Sequence, residues 1–293
     1  MSGITSSSTA LAAEAAEADA QTAAERAGLL LREIEDMGAL AEVQQLFEAV
    51  WNVGPEGTPV TADLLRALAK SGNPVFAAYS DGALVGACFG FCSPPQNGNM
   101  HSHIAGVSPS ARSRGVGLAL KLRQRAWALN QGMRTMSWTF DPLIRRNAVF
   151  NLVKLGAEVV EYLPDFYGPM DDDVNRGDAT DRVLLRWQLE APIPVGTLFP
   201  PEVGSGESQP QLSPGSRFIR VPVPENIEDL RLAEPEQARR LRYELRHSLG
   251  ELLKSGAKVV GFERDGHYLV RVPAHLEGAE EEAVVHATSE ETQ

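Results

Sequence analysis

The sequence predicts an α/β fold: a mixed central sheet flanked by helices, followed by a small C-terminal β-α-β-β module. Three observations carry that expectation. Midway along the chain, Met100 to Gln131 reads as strand, polar turn and helix, and the turn holds two glycines. Before it the apolar pattern gives strand, helix, helix and hairpin; after it come strand, helix and two strands. A stretch rich in Pro, Gly and Ser, residues 191–216, then sets off a last β-α-β-β group.

Each element has a local reason. Leu29 to Ile34 is a short strand, and Met37 to Trp51 is a helix with Leu40, Val43, Leu46, Phe47 and Val50 at helical spacing. Thr61 opens a second helix that runs to Lys70 and stops at Gly72. Val75 to Tyr79 and Ala83 to Phe91 form a hairpin around Ser80-Asp81-Gly82, a strong turn signal. Met100 to Val107 is the central strand, Ser108 to Arg114 its turn, and Gly115 to Asn130 the helix that follows. Thr135 to Phe140 reads as a buried strand, Leu143 to Leu155 as a helix ended by Gly156, and Ala157 to Tyr162 and Arg182 to Leu189 as strands.

Composition narrows the function classes. The chain has 293 residues, 43% of them hydrophobic, and a net charge of −12. Residues 1–27 contribute −3 and residues 275–293 contribute −6, so the body carries only −3. Acidity concentrated in the ends argues against a nucleic-acid partner. Residues 109–140, by contrast, hold Arg112, Arg114, Lys121, Arg123, Arg125 and Arg134 and no acid, an island suited to a phosphorylated cofactor. Cys88 and Cys92 offer neither a disulfide framework nor a zinc pattern. No run approaches about 20 apolar residues, so no membrane partner is expected. The N-terminal segment lacks the basic start and apolar core of a leader, and a cytoplasmic location is expected. Residues 1–27 and 274–293 read as disordered tails, the first Ala/Glu-rich and the second acidic.

The turn spells Arg112-Ser113-Arg114-Gly115-Val116-Gly117, an R-x-x-G-x-G. Glycines let backbone approach a ligand, and a helix beginning there aims free N–H groups at an anion such as a diphosphate. A short glycine-rich run also fits a Rossmann-type loop or a bare turn. However, the Rossmann reading needs an acid about 20 residues on, and no Asp or Glu occurs between Met100 and Phe140.

Taken together, the strand ending at Val107, this hexapeptide and the helix after it resemble the acyl-CoA-binding motif of the GNAT N-acetyltransferases. The resemblance implies that fold and acetyl-CoA or another acyl-CoA as co-substrate, with no metal. It places the diphosphate on Arg112, Arg114, Gly115, Val116, Gly117, Leu118 and Ala119. The pantetheine arm would lie along Gly106 and Val107, in a slot where the strand at Thr135 parts from its neighbour, and the Val107 N–H would polarise the thioester carbonyl. Family members often carry Asn early in the next helix and Tyr three residues before its closing Gly. Counting back from Gly156 puts Arg145 and Val153 at those places. Asn147 and Asn151 therefore become the candidate cofactor contacts, and Tyr162 and Tyr167 the candidate acids.

His101 and His103 alternate along the strand and so share one face. Aligned on Val107, they fall where arylalkylamine N-acetyltransferases carry a histidine pair that deprotonates the amine through water. A hydrogen-bonded core histidine, or two metal ligands lacking a third, are the other readings of such a pair. The stretches Trp138 to Leu143, Asn147 to Asn151, Asp165 to Gly168 and Thr180 to Arg182 resemble a bacterial group of predicted acetyltransferases. Asp141 and Asp181 are candidates to hold an acceptor ammonium, and Arg145, Arg146 or Arg182 to pair an acceptor carboxylate. An Asp-Pro turn, capping and surface solvation explain the same residues without function.

The last group reads as strand Arg217 to Val221, helix Pro235 to Ser255, and a hairpin of Lys258 to Phe262 and His267 to Val272. Arg239, Arg240, Arg242 and Arg246 are expected on a solvated helix face. The expected organisation is an acyltransferase domain over residues 28–190, a linker over 191–216 and the module over 217–273. The function expected is acyl-CoA-dependent N-acylation of a small amine, an amino acid among the candidates, by a chain that can form a homodimer. Two alternatives stand beside it: a non-catalytic acyl-CoA-binding regulatory module and a protein-modifying enzyme.

Overall fold

A computed structural model describes residues 3–52, 57–170, 172–194 and 217–273. The chain divides into two compact units. The first holds Met1–Thr139, Gly168–Asp178 and Arg186–Pro192; the second holds Phe140–Tyr167, Ala179–Leu185 and Ile193–Gln293.

The first unit runs α1 (Gly3–Arg26), β1 (Leu30–Glu33), α2 (Met37–Trp51), α3 (Ala62–Lys70), β2 (Val75–Ser80), β3 (Ala83–Cys92), β4 (Asn99–Val107), α4 (Val116–Asn130) and β5 (Thr135–Phe140). These strands neighbour one another in chain order. The first four pair antiparallel and β5 joins β4 in parallel, so the sheet is mixed as expected. At the β2–β3 hairpin Ser80 faces Ala83, and Asp81 and Gly82 both have positive φ, the backbone of a two-residue type I′ turn. Alternation along β2 then sends Val75 and Ala77 to one face and Phe76 and Ala78 to the other. The first face packs on Leu40, Val43, Phe47 and Leu65 of α2 and α3; the second packs on Val116 and Leu120 of α4.

Residues 1–27, expected as a disordered tail, contain a packed helix. Ala13, Ala16, Ala20 and Ala24 recur every three or four residues and are buried, giving α1 one smooth small-residue stripe. Asp19 accepts from the Arg125 guanidinium at 2.9 Å, and Glu17 pairs with Arg123, both on α4. Two cations of the basic island are thereby paired with α1.

In the second unit, α5 (Arg145–Ala148) continues as a wider π turn over Val149–Lys154 and is followed by β6 (Glu158–Leu163). β7 (Arg182–Gln188), whose residues are shared by the two units, follows β5 in the strand order, and β6 follows β7. Next come β8 (Arg217–Pro222), α6 (Ile227–Ala233) and α7 (Pro235–Leu245). A π turn at Arg246–Gly250 leads into α8 (Glu251–Lys254), then β9 (Lys258–Phe262) and β10 (His267–Val272). A separate antiparallel sheet has the order β8-β10-β9.

The compact units do not follow the expected boundary between a 28–190 domain and a 217–273 module. Asp141 accepts hydrogen bonds from both Arg231 and Arg242 at 2.6 to 2.8 Å, all three buried. Asp181 takes Arg246, and the Tyr268 hydroxyl donates to the Pro142 carbonyl at 2.8 Å. These contacts tie Asp141, Pro142 and Asp181 to the module. They also correct the solvated-face expectation for the helix: Arg242 is fully buried on Asp141 and Arg246 is tied to Asp181. Residues 195–216 of the expected linker and the expected tail from Ala274 onward lie outside the described residues.

Candidate active site

The site is built on β4. Its parallel ladder to β5 holds at Asn99–Thr135, Met100–Met136 and His101–Ser137, while β4 continues six residues further to Val107. On the other side β4 pairs with β3 along its whole length, with one irregularity. Phe89 faces Ile104 and Gly90 faces Ser102, so His103 is the extra residue of a β-bulge. The Ser108 N–H donates to the Val85 carbonyl at 2.9 Å. Alternation then makes Val107–Gly86 a non-hydrogen-bonded pair, which turns the Val107 N–H away from β3.

His101 and His103 stand on one face, their ring centroids 6.1 Å apart. Phe91 lies 5.1 Å from the first and 5.8 Å from the second, and Phe89 lies 5.3 Å from His103. The Ser137 hydroxyl is 3.4 Å from His101 Nδ1. Burial among these rings lowers the pKa of both imidazoles. His101 is pushed down to about 4 by burial first, then by His103 and by the cation of Lys121. Both are therefore neutral at pH 7, the form that can accept a proton.

Ser102, between them, points to the opposite face and is buried. Its hydroxyl accepts from Lys121 Nζ at 2.7 Å and donates to Gln124 Oε1 at 2.8 Å. Sequence reasoning counted Lys121 with the phosphate-facing cations; in fact it lies under α4, its ammonium 4.2 Å from the centroid of Trp138. No motif signals that placement, although its position on the apolar stripe of α4 is consistent with it.

The R-x-x-G-x-G turn leads directly into α4. Gly115 is the N-cap, with φ 86°, a left-handed backbone that suits glycine. The first bond of the helix is Ala119 N–H to the Gly115 carbonyl at 3.0 Å, so the amides of Val116, Gly117 and Leu118 precede the ladder. Arg112 and Arg114 are exposed beside them. A Cβ on Gly117 would meet nothing nearer than a Val107 methyl at 4.0 Å, so packing does not demand glycine there. Free amides, a dipole end and two exposed guanidiniums are the features that an anion-binding helix terminus requires. Gly106, one residue before Val107, is packed under Phe47 and Trp51 and serves the strand's closeness to α2.

The remaining candidates belong to the second unit. Asp141 is buried between two guanidiniums. Burial alone would raise its pKa, but Arg242, Arg231 and Arg182 outweigh that and hold it below the usual carboxylate range. Asp181 accepts from Arg246 and from the Tyr162 hydroxyl, the latter at 2.7 Å. Burial and that bond raise the Tyr162 pKa far above its ordinary value. Arg145 donates to the Arg264 carbonyl at the β9–β10 turn, and Arg182 to the Asp181 carbonyl at 2.9 Å while its guanidinium lies 5.3 Å from the Tyr167 ring. Tyr167 is 39% exposed, whereas Asn151 is buried and Asn147 half-buried. The π turn adds a residue relative to α spacing, so counting back from Gly156 does not preserve helix faces across it. Among the described residues, the grouping with metal-ligand spacing is Glu263, Asp265 and His267, and Arg220 pairs with both carboxylates.

Residues 12–141 match the family model of the acetyltransferase (GNAT) domain. No curated protein matches. Solved structures similar to this chain include a phosphinothricin acetyltransferase of the GNAT superfamily from Sinorhizobium meliloti in complex with acetyl-CoA, at 18% identity and TM-score 0.46, covering 58% of this chain and 95% of that one. Another is a ribosomal-protein-alanine N-acetyltransferase from Brucella melitensis, at 19% identity and TM-score 0.44, covering 54% and 99%. A third, from Salmonella typhimurium with its cofactor acetyl-CoA, has 18% identity, a TM-score of 0.43 and coverage of 55% and 94%. Over residues 12–141 the chain matches the GNAT acetyltransferase domain model, and the R-x-x-G-x-G motif lies within that span.

Proposed function

We propose that this protein transfers an acyl group from acyl-CoA to the amine of a small molecule, with both substrates bound together. The observation that carries the reading is the pairing of β4 with β5 at its start, beside two neutral histidines, on a strand that leads into an anion-ready helix terminus. The diphosphate of CoA fits the amides of Val116, Gly117 and Leu118 with Arg112 and Arg114. The thioester carbonyl fits the Val107 N–H, which would stabilise the oxyanion.

The chemistry then follows from the chain's own groups. A neutral amine attacks the thioester carbon, the C–N bond forms as the C–S bond breaks, and His103, aided by His101 or a water between them, takes the amine proton. The CoA thiolate needs a proton in return. Tyr162 is committed to Asp181, so water is the donor assigned to that role. Because Asp141 and Asp181 are each engaged by arginine, we assign them to the internal network of the second unit rather than to substrate.

The test is CoA release from acetyl-CoA and succinyl-CoA against a panel of amines and both enantiomers of amino acids. Amine-dependent release with a matching acylated product supports the reading. Tight CoA binding with no amine-dependent release would replace it with a regulatory acyl-CoA-binding module.

A further inference from the structure

The α4 side of β4 holds a buried cation that the proposed chemistry does not use. Lys121 is 6% exposed, and among the described residues no carboxylate pairs with it. Its ammonium is held by the Ser102 hydroxyl and the face of Trp138. Ser102 passes the chain on to Gln124, whose Nε2 is buried with no hydrogen-bond partner. A packed core rarely keeps an unpaired ammonium beside an orphaned amide when Leu or Met would fill the space. The residue gripped, Ser102, is flanked by the two histidines at the bulge.

We propose that Lys121 is a positioning residue for the histidine pair, a buried cation that fixes Ser102 between the two imidazoles and disfavours a second positive charge on the opposite face of β4. The inference rests on the histidine-base reading above. The groups that bear on His101 are few: His103 on the same strand, Phe91 on β3, the Ser137 hydroxyl on β5, and Lys121 from α4. Lys121 and His103 are the two titratable groups among them. Neither contributes a negative charge, so removing the lysine cation removes repulsion without exposing a compensating attraction.

The experiment titrates the imidazole signals of His101 and His103 by NMR in the full chain, wild type beside Lys121→Met, and measures the pH profile of kcat/KM in both. Lys121→Gln, neutral yet able to bond Ser102, is the second variant if Met packs poorly. The His101 midpoint is expected to rise by about half a unit or more in both variants. The acid limb of kcat/KM should move with it. An unmoved His101 midpoint overturns the proposal, as does a shifted midpoint with an unchanged kinetic limb. A shifted midpoint in a protein that acylates no amine would keep the electrostatic hold of Lys121 and remove the proposed enzymatic function instead.

Discussion

Replacing Lys121 by Met should stabilise the protein at neutral pH and destabilise it in base. Burial pushes the Lys121 pKa down from the ordinary 10.5 to about 8. That gap corresponds to about 3 kcal/mol of cost for keeping the ammonium charged in the fold. The folded pKa lies below the unfolded one, so between pH 8 and 10.5 the unfolded chain binds a proton that the folded chain has released. Wild-type stability therefore rises with pH across that window, and the cost is fully present below it. Against it stand the bond to Ser102 and the cation–π contact with Trp138, together worth about 1–2 kcal/mol. The net expectation is a Met variant more stable by about 1–2 kcal/mol at pH 7, with that advantage falling by about 3 kcal/mol as pH approaches 10.5. Urea unfolding of both proteins at several pH values measures it. The slope is the decisive quantity because packing differences do not titrate. A stability difference that stays constant from pH 7 to 10.5 would refute the reasoning.

Three further outcomes follow from the geometry. Asp141→Asn leaves Arg231 and Arg242 buried without their carboxylate, and should cost about 3–5 kcal/mol in chemical denaturation. Gly117→Ala adds a methyl with room around it and removes a helix-disfavouring glycine, so it should gain about 0.5 kcal/mol. Gly117→Leu, at the same open place, should retain the fold and weaken acetyl-CoA binding by more than about tenfold, as read by calorimetry.

Much of the fold was legible because its signals are local. The Ser80-Asp81-Gly82 turn declared its hairpin, the stripe from Leu40 to Val50 its helix, and Gly115 the helix start where the structure puts it. α1 was not legible: its buried face is all alanine, which lacks the contrast between apolar and polar faces that sequence reading relies on. The Asp141–Arg242 pair spans residues that no spacing rule connects, so Asp141 read as a free carboxylate and Arg242 as a surface cation. In the site, alternation correctly put His101 and His103 on one face. The bulge at His103 and the inward turn of Lys121 depend on register and on α4 packing, which alternation alone does not specify.

The most direct test of the central claim is kcat/KM for amine acylation by His103→Ala beside wild type, with the acetyl-CoA Kd measured in parallel. The account predicts a fall of about 100-fold with Kd unchanged, because the imidazole handles the amine proton and not the cofactor. Unchanged kcat/KM in His103→Ala would contradict it.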